Sequence, residues 1–182
     1  MTTAMQISPE STMREVLEVF PGAQRALFQR YHIGGCASCG FNPDETLAGV
    51  CQRNNTLPVD EVLAHIQTSH EQDAKIFIPP AELAGLLKEN PSLRLLDVRS
   101  REEFEAVHLP GSILLSQPVM MEILAKWGRQ DLFVIVDHSG KKSLDGAACF
   151  LGHGFENVRA LRGGIDAWSQ EIDSKVPRYT VG

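Results

Sequence analysis

Leu132-Phe133-Val134-Ile135-Val136-Asp137-His138-Ser139-Gly140-Lys141-Lys142-Ser143 is the stretch on which the fold turns. It begins with five apolar residues, three of them β-branched, the pattern of a short strand buried on both faces. It ends by running into a helical pattern. A short turn between a strand and a helix N-terminus makes a small anion cradle, because the unpaired N–H groups of the turn and of the first helical turn converge there. Such a cradle commonly surrounds a nucleophile. Here the residue at its mouth is a carboxylate, Asp137.

The same alternation continues on either side. Apolar runs at Ile76–Ile78, Leu93–Val98, Ile113–Leu115, Leu132–Val136 and Val158–Leu161 read as strands. Between and after them, Ala81–Lys88, Glu102–Val107, Val119–Trp127, Ser143–Leu151 and Ile165–Gln170 read as helices. Short apolar strands separated by helices predict an α/β fold, a parallel sheet with helices on both faces. Ligands of such sheets sit outside the carboxyl ends of the strands, and the Asp137 loop lies at one of those ends.

The first 68 residues have a different period and predict a small all-α N-terminal domain. Met13, Val16, Leu17 and Phe20 share one helical face, and Thr12 with Glu15 forms a capping-box pattern ahead of them. Pro21-Gly22 breaks that helix. A second helix carries Ala23, Leu27 and Phe28, a third begins around Asp44, and a fourth starts at Pro58. A core this small calls for a staple. The polar, aperiodic residues that follow read as a linker, giving three segments: 1–68 helical and cysteine-containing, 69–76 linker, 77–182 α/β.

Three stretches of the second half together resemble the rhodanese superfamily. They are Leu96-Asp97-Val98-Arg99 with Glu102-Glu103-Phe104 and His108-Leu109-Pro110-Gly111; the loop from Asp137 to Lys142; and Gly154-Phe155-Glu156-Asn157-Val158 with Leu161-Arg162-Gly163-Gly164-Ile165-Asp166-Ala167-Trp168. The resemblance implies a rhodanese-like domain and the sulfurtransferase family. It also exposes a departure. The rhodanese loop begins with a cysteine that carries a persulfide, and Asp137 matches that position, while Lys142 stands where an arginine is common. A carboxylate cannot form a persulfide, so no catalytic residue is expected in the loop. Asp137 instead reads as an acceptor for the loop's own N–H groups, filling the anion site from within. Asp137, His138, Ser139, Gly140, Lys141 and Lys142 form a candidate loop for an anion or a partner protein. An aspartyl nucleophile is a further reading of Asp137. Cys149, next to Ala147, Ala148 and Phe150 in sequence, reads as a core residue.

The first half carries Cys36, Cys39 and Cys51. It resembles the small helical domain found beside hybrid-cluster proteins and at the N-terminus of iron–sulfur repair proteins, on Ser11-Thr12-Met13, Phe28, Tyr31, Ile33, the Gly34–Gly40 loop, Thr46-Leu47, Cys51, Val59 and Val62-Leu63. The resemblance implies a redox or sulfur-handling thiol pair, one loop cysteine with Cys51. A metal site is the alternative, with His32, Cys36, Cys39 and Cys51 binding zinc or the three thiolates holding part of an iron–sulfur cluster. Free thiols are the third reading. No cofactor is favoured.

Composition narrows the classes. With a formal net charge of −6 there is no basic excess to hold nucleic acid. No apolar run approaches the ~20 residues of a membrane span. The first residues carry neither the basic nor the apolar segment of a signal peptide, which points to the cytoplasm, where thiols stay reduced. The favoured reading is a two-domain rhodanese-superfamily pseudoenzyme. It lacks sulfurtransferase activity at the loop and acts as a sulfur- or redox-linked binding or regulatory module with a protein partner in sulfur, redox or iron–sulfur metabolism. The alternative is a sulfurtransferase or sulfur carrier that uses Cys36, Cys39 or Cys51.

Overall fold

The structure, a computed structural model, describes residues 7–34 and 40–179. The chain divides between Ala74 and Lys75 into two compact units.

The first unit holds four helices among its described residues: α1 (Met13–Val19), α2 (Ala23–Tyr31), α3 (Leu47–Arg53) and α4 (Val59–Ala74). The capping box of α1 is complete: the Thr12 hydroxyl accepts the Glu15 N–H, and the Thr12 N–H donates to the Glu15 carboxylate at 2.7 Å. A one-residue antiparallel bridge between Thr12 and Thr46 ties the start of α1 to the start of α3. Met13, Val16, Leu27, Ile33, Leu47, Val50, Cys51, Val62 and Ile66 form the core.

The expected linker, residues 69–76, is instead helical as far as Ala74, as the last turns of α4. Its polar composition hid two anchors. Asp73, 6% exposed, is ion-paired with Arg25 at 2.5 Å, and His70 meets the edge of Phe20 at 5.1 Å. Tertiary contacts to α2 and its approach hold a segment whose own periodicity does not call for a helix.

The second unit alternates strand and helix: β1 (Phe77–Ile78), α5 (Pro80–Glu89), β2 (Arg94–Asp97), α6 (Arg101–Ala106), β3 (Ser112–Leu114), α7 (Gln117–Lys126), β4 (Phe133–Val136), α8 (Lys141–Gly152), β5 (Val158–Leu161) and α9 (Gly164–Glu171). The strands pair in parallel in the order β1-β5-β4-β2-β3. β4 lies at the centre, and all four of its residues are buried. Its alternate side chains serve two cores. Val134 and Val136 pack with Leu83 of α5 and with Ile165 and Trp168 of α9. Phe133 and Ile135 pack with Ile123 of α7 and with Ala147 and Phe150 of α8. This is the α/β sandwich with helices on both faces that the apolar runs predict.

The register positions the site. Asp97 at the end of β2 stands opposite Val136 at the end of β4, so the two following loops emerge side by side. β5 ends at Leu161 on the other flank of β4 and delivers Gly163-Gly164 to the same edge.

Phe133 is fully buried and makes edge-on contacts with Trp127, Phe150 and Phe155 at 5.1–5.5 Å. Phe133→Ala should therefore destabilise the second unit by about 3–5 kcal/mol. Urea unfolding followed by tryptophan fluorescence checks this, since both tryptophans, Trp127 and Trp168, lie in that unit.

Candidate functional site

The loop after β4 is built around one carboxylate. Asp137 is 2% exposed, and its two oxygens each accept a backbone N–H of its own loop: Oδ1 from Gly140 at 2.6 Å and Oδ2 from Lys142 at 2.9 Å. Lys142 is the second residue of α8, so Asp137 satisfies an N–H that the helix leaves open and places negative charge at the positive end of its dipole. Lys141 and Lys142 occupy the first two positions of α8, where the dipole disfavours cations. The Asp137 carboxylate offsets that local cost.

Glycines form the floor. Gly140 has φ +89°, and a Cβ there would meet the Gly163 backbone nitrogen at 2.8 Å. Gly164 has φ +60°, and a Cβ there would run into the Asp137 and His138 carbonyls at 2.4–2.5 Å. The start of α9 thus packs directly beneath the loop, where the Asp137 carbonyl accepts the Ile165 N–H at 2.8 Å and the His138 carbonyl that of Asp166 at 3.2 Å. Only glycine permits both the left-handed backbone and that approach.

The neighbouring wall comes from β2 and α6. Arg99 and Asp97 form a buried ion pair with side chains 1% and 0% exposed. Arg99 Nε and Nη2 grip the carboxylate at 2.6–3.2 Å, Nη2 also donates to the Val107 carbonyl at 2.7 Å, and Nη1 donates to the Tyr179 hydroxyl at 2.6 Å. Tyr179 in turn donates to Glu103 at 2.8 Å and sets its ring against His138, with centroids 4.5 Å apart. Burial pushes the Tyr179 pKa up, which keeps the phenol protonated and able to donate. Burial pushes Glu103 the other way from its net shift: the hydrogen bonds from Tyr179 and Ser100 outweigh it and hold the carboxyl below its usual range.

Arg99, Glu103, Asp137, His138, Ser139, Lys141 and Lys142 line one cavity of about 160 Å³. Arg99, His138, Lys141 and Lys142 supply the basic groups, while Asp137 is engaged by its own loop and the Glu103 carboxylate by Tyr179 and Ser100. The His138 Nδ1 and the Ser143 hydroxyl are buried without a hydrogen-bond partner. The cavity is chemically suited to a small anion.

Of the loop residues singled out from sequence, Asp137, His138, Ser139, Lys141 and Lys142 thus converge on one cavity, and Gly140 makes the turn beneath it. Arg99, Glu103 and Tyr179 were not expected there. Asp97, Arg99 and Glu103 entered only as part of a stretch that carries the rhodanese resemblance, and nothing in the local sequence of Tyr179 marks it. The thiols are placed less evenly. Cys36 and Cys39 lie outside the described residues. Cys51 is 2% exposed in the core of the first unit, and burial pushes its pKa up. His32 is exposed, with φ +57° at the end of α2 and its ring edge-on to Phe28. Among the described residues no three His, Cys, Asp or Glu side chains converge on a metal position.

Cys149 corrects an expectation. It is exposed on α8 rather than in the core. The buried stripe of α8 runs through Ser143, Leu144, Ala147 and Phe150, and Cys149 shares the opposite side with Asp145. Its sulfur lies 3.9 Å from His153 Nδ1, but that nitrogen is 2.8 Å from the Cys149 carbonyl.

With this geometry in view, the rhodanese-like domain family matches residues 79–171. The chain belongs to that family. Thiosulfate sulfurtransferase GlpE of Pseudomonas savastanoi is 34% identical over 50% of this chain and 84% of its own length. Adenylyltransferase and sulfurtransferase UBA4 of Candida albicans is 27% identical over 88% of this chain, which spans only 38% of that relative's length. Among solved structures, a rhodanese-like domain protein from Staphylococcus aureus superposes with a TM-score of 0.47 and 22% identity, covering 57% of this chain and 98% of that one. No helix among the described residues is long and apolar enough to cross a membrane.

Asp137→Asn keeps the shape but turns an amide NH2 toward one of the two N–H donors. It should cost about 1–3 kcal/mol, the price of one buried donor left unpaired, read as a lower urea midpoint. In the native protein Cys149 should alkylate at least about tenfold faster than Cys51 at pH 7–8, because burial both shields the Cys51 sulfur and suppresses its thiolate. Timed labelling with iodoacetamide and peptide mass mapping measures the ratio.

Proposed function

We propose that this chain handles sulfane sulfur on a cysteine outside the rhodanese-like loop, and that the loop serves as a binding site rather than as the sulfur carrier. The observation that carries the second half is the Asp137 carboxylate, seated in the cradle with both oxygens satisfied by backbone N–H groups. By the rhodanese resemblance Asp137 stands at the persulfide cysteine's position, and it has no sulfur to load. Support for the first half comes from the sulfurtransferase names of the relatives. It fits the sulfur-carrier alternative better than a module with no sulfur chemistry.

Three cysteines of the first 68 residues are the candidates. Cys51 is the poorest of them, since its thiol is buried and held protonated. The carrier role falls to Cys36 or Cys39. The chemistry needs no cofactor. A cysteine thiolate attacks the outer sulfur of thiosulfate, a new S–S bond forms, the S–S bond of thiosulfate breaks, and sulfite leaves with the electron pair. The persulfide then gives its terminal sulfur to an acceptor nucleophile and returns to thiolate. A partner in a sulfur-transfer pathway is the expected acceptor.

A second reading, a docking module without sulfur transfer, is favoured by the cationic cavity at His138, Lys141 and Lys142. Intact-mass analysis of anaerobically purified protein after exposure to thiosulfate separates the two. The expected result is the addition of one cyanide-removable sulfur, mapped to Cys36 or Cys39 and retained in Asp137→Asn. Absence of added sulfur on any cysteine would leave the docking module, and its loss in Asp137→Asn would return the chemistry to the loop.

A further inference from the structure

Tyr179 lies outside the span matched by the family, yet it reaches the heart of the site. Four contacts of the tail bring it there. Val176 is 7% exposed within the α5–α9 core. The Val176 carbonyl accepts the hydroxyl of buried Ser169 at 2.6 Å. Arg178 clamps Asp166 of α9 through two bonds, Nε at 2.6 Å and Nη2 at 3.1 Å. Tyr179 then closes over the loop, with its ring on His138 and its hydroxyl between Arg99 and Glu103.

The position of that hydroxyl is informative. Asp97 and the Val107 carbonyl use Arg99 Nε and Nη2, and both bonds hold the guanidinium in place. Nη1 is the nitrogen of Arg99 that neither takes, and the Tyr179 oxygen sits on it. Arg99, His138 and Glu103, the three groups Tyr179 touches, are all walls of the cavity that also contains Lys141 and Lys142. The phenol oxygen accepts from this pre-positioned guanidinium and donates to Glu103, and an anion oxygen can replace the first of those bonds but not the second.

We infer that residues 176–179 are a strap that closes the Asp137 loop. In it, Tyr179 competes with a small sulfur oxyanion for Arg99 Nη1 and the face of His138. The inference rests on the loop being a binding site and not on which cysteine carries sulfur. The buried Asp97–Arg99 pair keeps the anion-binding nitrogen in position whether the strap is on or off. Val176 anchors the strap in the α5–α9 core, while the Arg178–Asp166 clamp that leads to Tyr179 is exposed, so the end of the strap can release without disturbing the sheet. Its closed state restricts the loop to ligands that fit about 160 Å³ or that displace the tyrosine.

The test uses the full chain, with thiosulfate as the probe anion. Hydrogen exchange of residues 138–142 reads whether the strap covers the loop, and calorimetric titration reads binding. In Tyr179→Ala the loop amides should exchange at least about tenfold faster, and thiosulfate should bind at least about tenfold more tightly, than in the wild type. Arg178→Ala leaves every group of the cavity in place and should move both quantities in the same direction by a smaller factor, which guards against a folding defect in the first variant. Unchanged exchange in both variants would show that the tail does not cover the loop and would overturn the strap. Faster exchange with thiosulfate bound equally tightly by variant and wild type would overturn the competition alone, whereas no thiosulfate binding by either would overturn the reading of this loop as an anion site.

Discussion

The site depends on the buried pair of Asp97 and Arg99. Taking two charges out of water carries a penalty of several kcal/mol per ion, and it is offset only when geometry is good and every remaining donor finds an acceptor. Here the carboxylate takes Nε and Nη2, and a carbonyl and a phenol take what the carboxylate leaves. Each of those acceptors belongs to a different part of the second unit: the end of β2, the residue that ends α6, and the tail. Satisfying one guanidinium therefore fixes three segments around the mouth of a cavity. Loss of either partner leaves an uncompensated buried charge, a far larger perturbation than loss of an exposed pair such as Arg101 with Glu105.

Asp137 solves the neighbouring problem by the opposite route. Strand β4 ends and α8 begins within a few residues, so several N–H groups point inward with no carbonyl to meet them. A cradle in that condition attracts an external anion. Asp137 supplies one internally, on a stem short enough to stay in the turn, and the helix gains a negative charge at its positive end. The loop is then stable without a ligand. The two lysines that follow remain exposed and keep the surroundings cationic. The outcome is a cradle whose floor is full and whose rim carries two exposed lysines. A filled cradle floor and exposed lysines at its rim are thus compatible in one loop, because they use different atoms.

Which of these features a reader of the sequence can see follows from the range of the interactions. β4 was legible because it is buried on both faces and so reads as an unbroken apolar run. The capping box of α1 was legible because its partners, Thr12 and Glu15, lie within a few residues. The last turns of α4 were not, because what holds them is Asp73 reaching Arg25, 48 residues away. Cys149 was misread through adjacency: residues beside it in sequence are buried, but a helix turns about 100° per residue, and its true neighbours are the exposed Asp145 and His153. Tyr179 was invisible, since Arg99 is 80 residues from it. Chemistry made by contacts of that separation has no local pattern to carry it.

The same separation bears on how this domain could be tuned. The loop, the Asp97–Arg99 pair and the glycine floor lie within residues 79–171, the span the family shares. Tyr179 and Arg178 lie beyond it. A change in the tail can alter access to the cavity without touching the ion pair that organises it or the carboxylate that fills the cradle, because the tail is bound by side-chain contacts to α9, His138 and Arg99 and contributes no strand to the sheet. The pair that organises the cavity and the tail that reaches it therefore belong to different segments. The first is a buried charge pair whose disruption is costly, and the second ends in two exposed or half-exposed side chains.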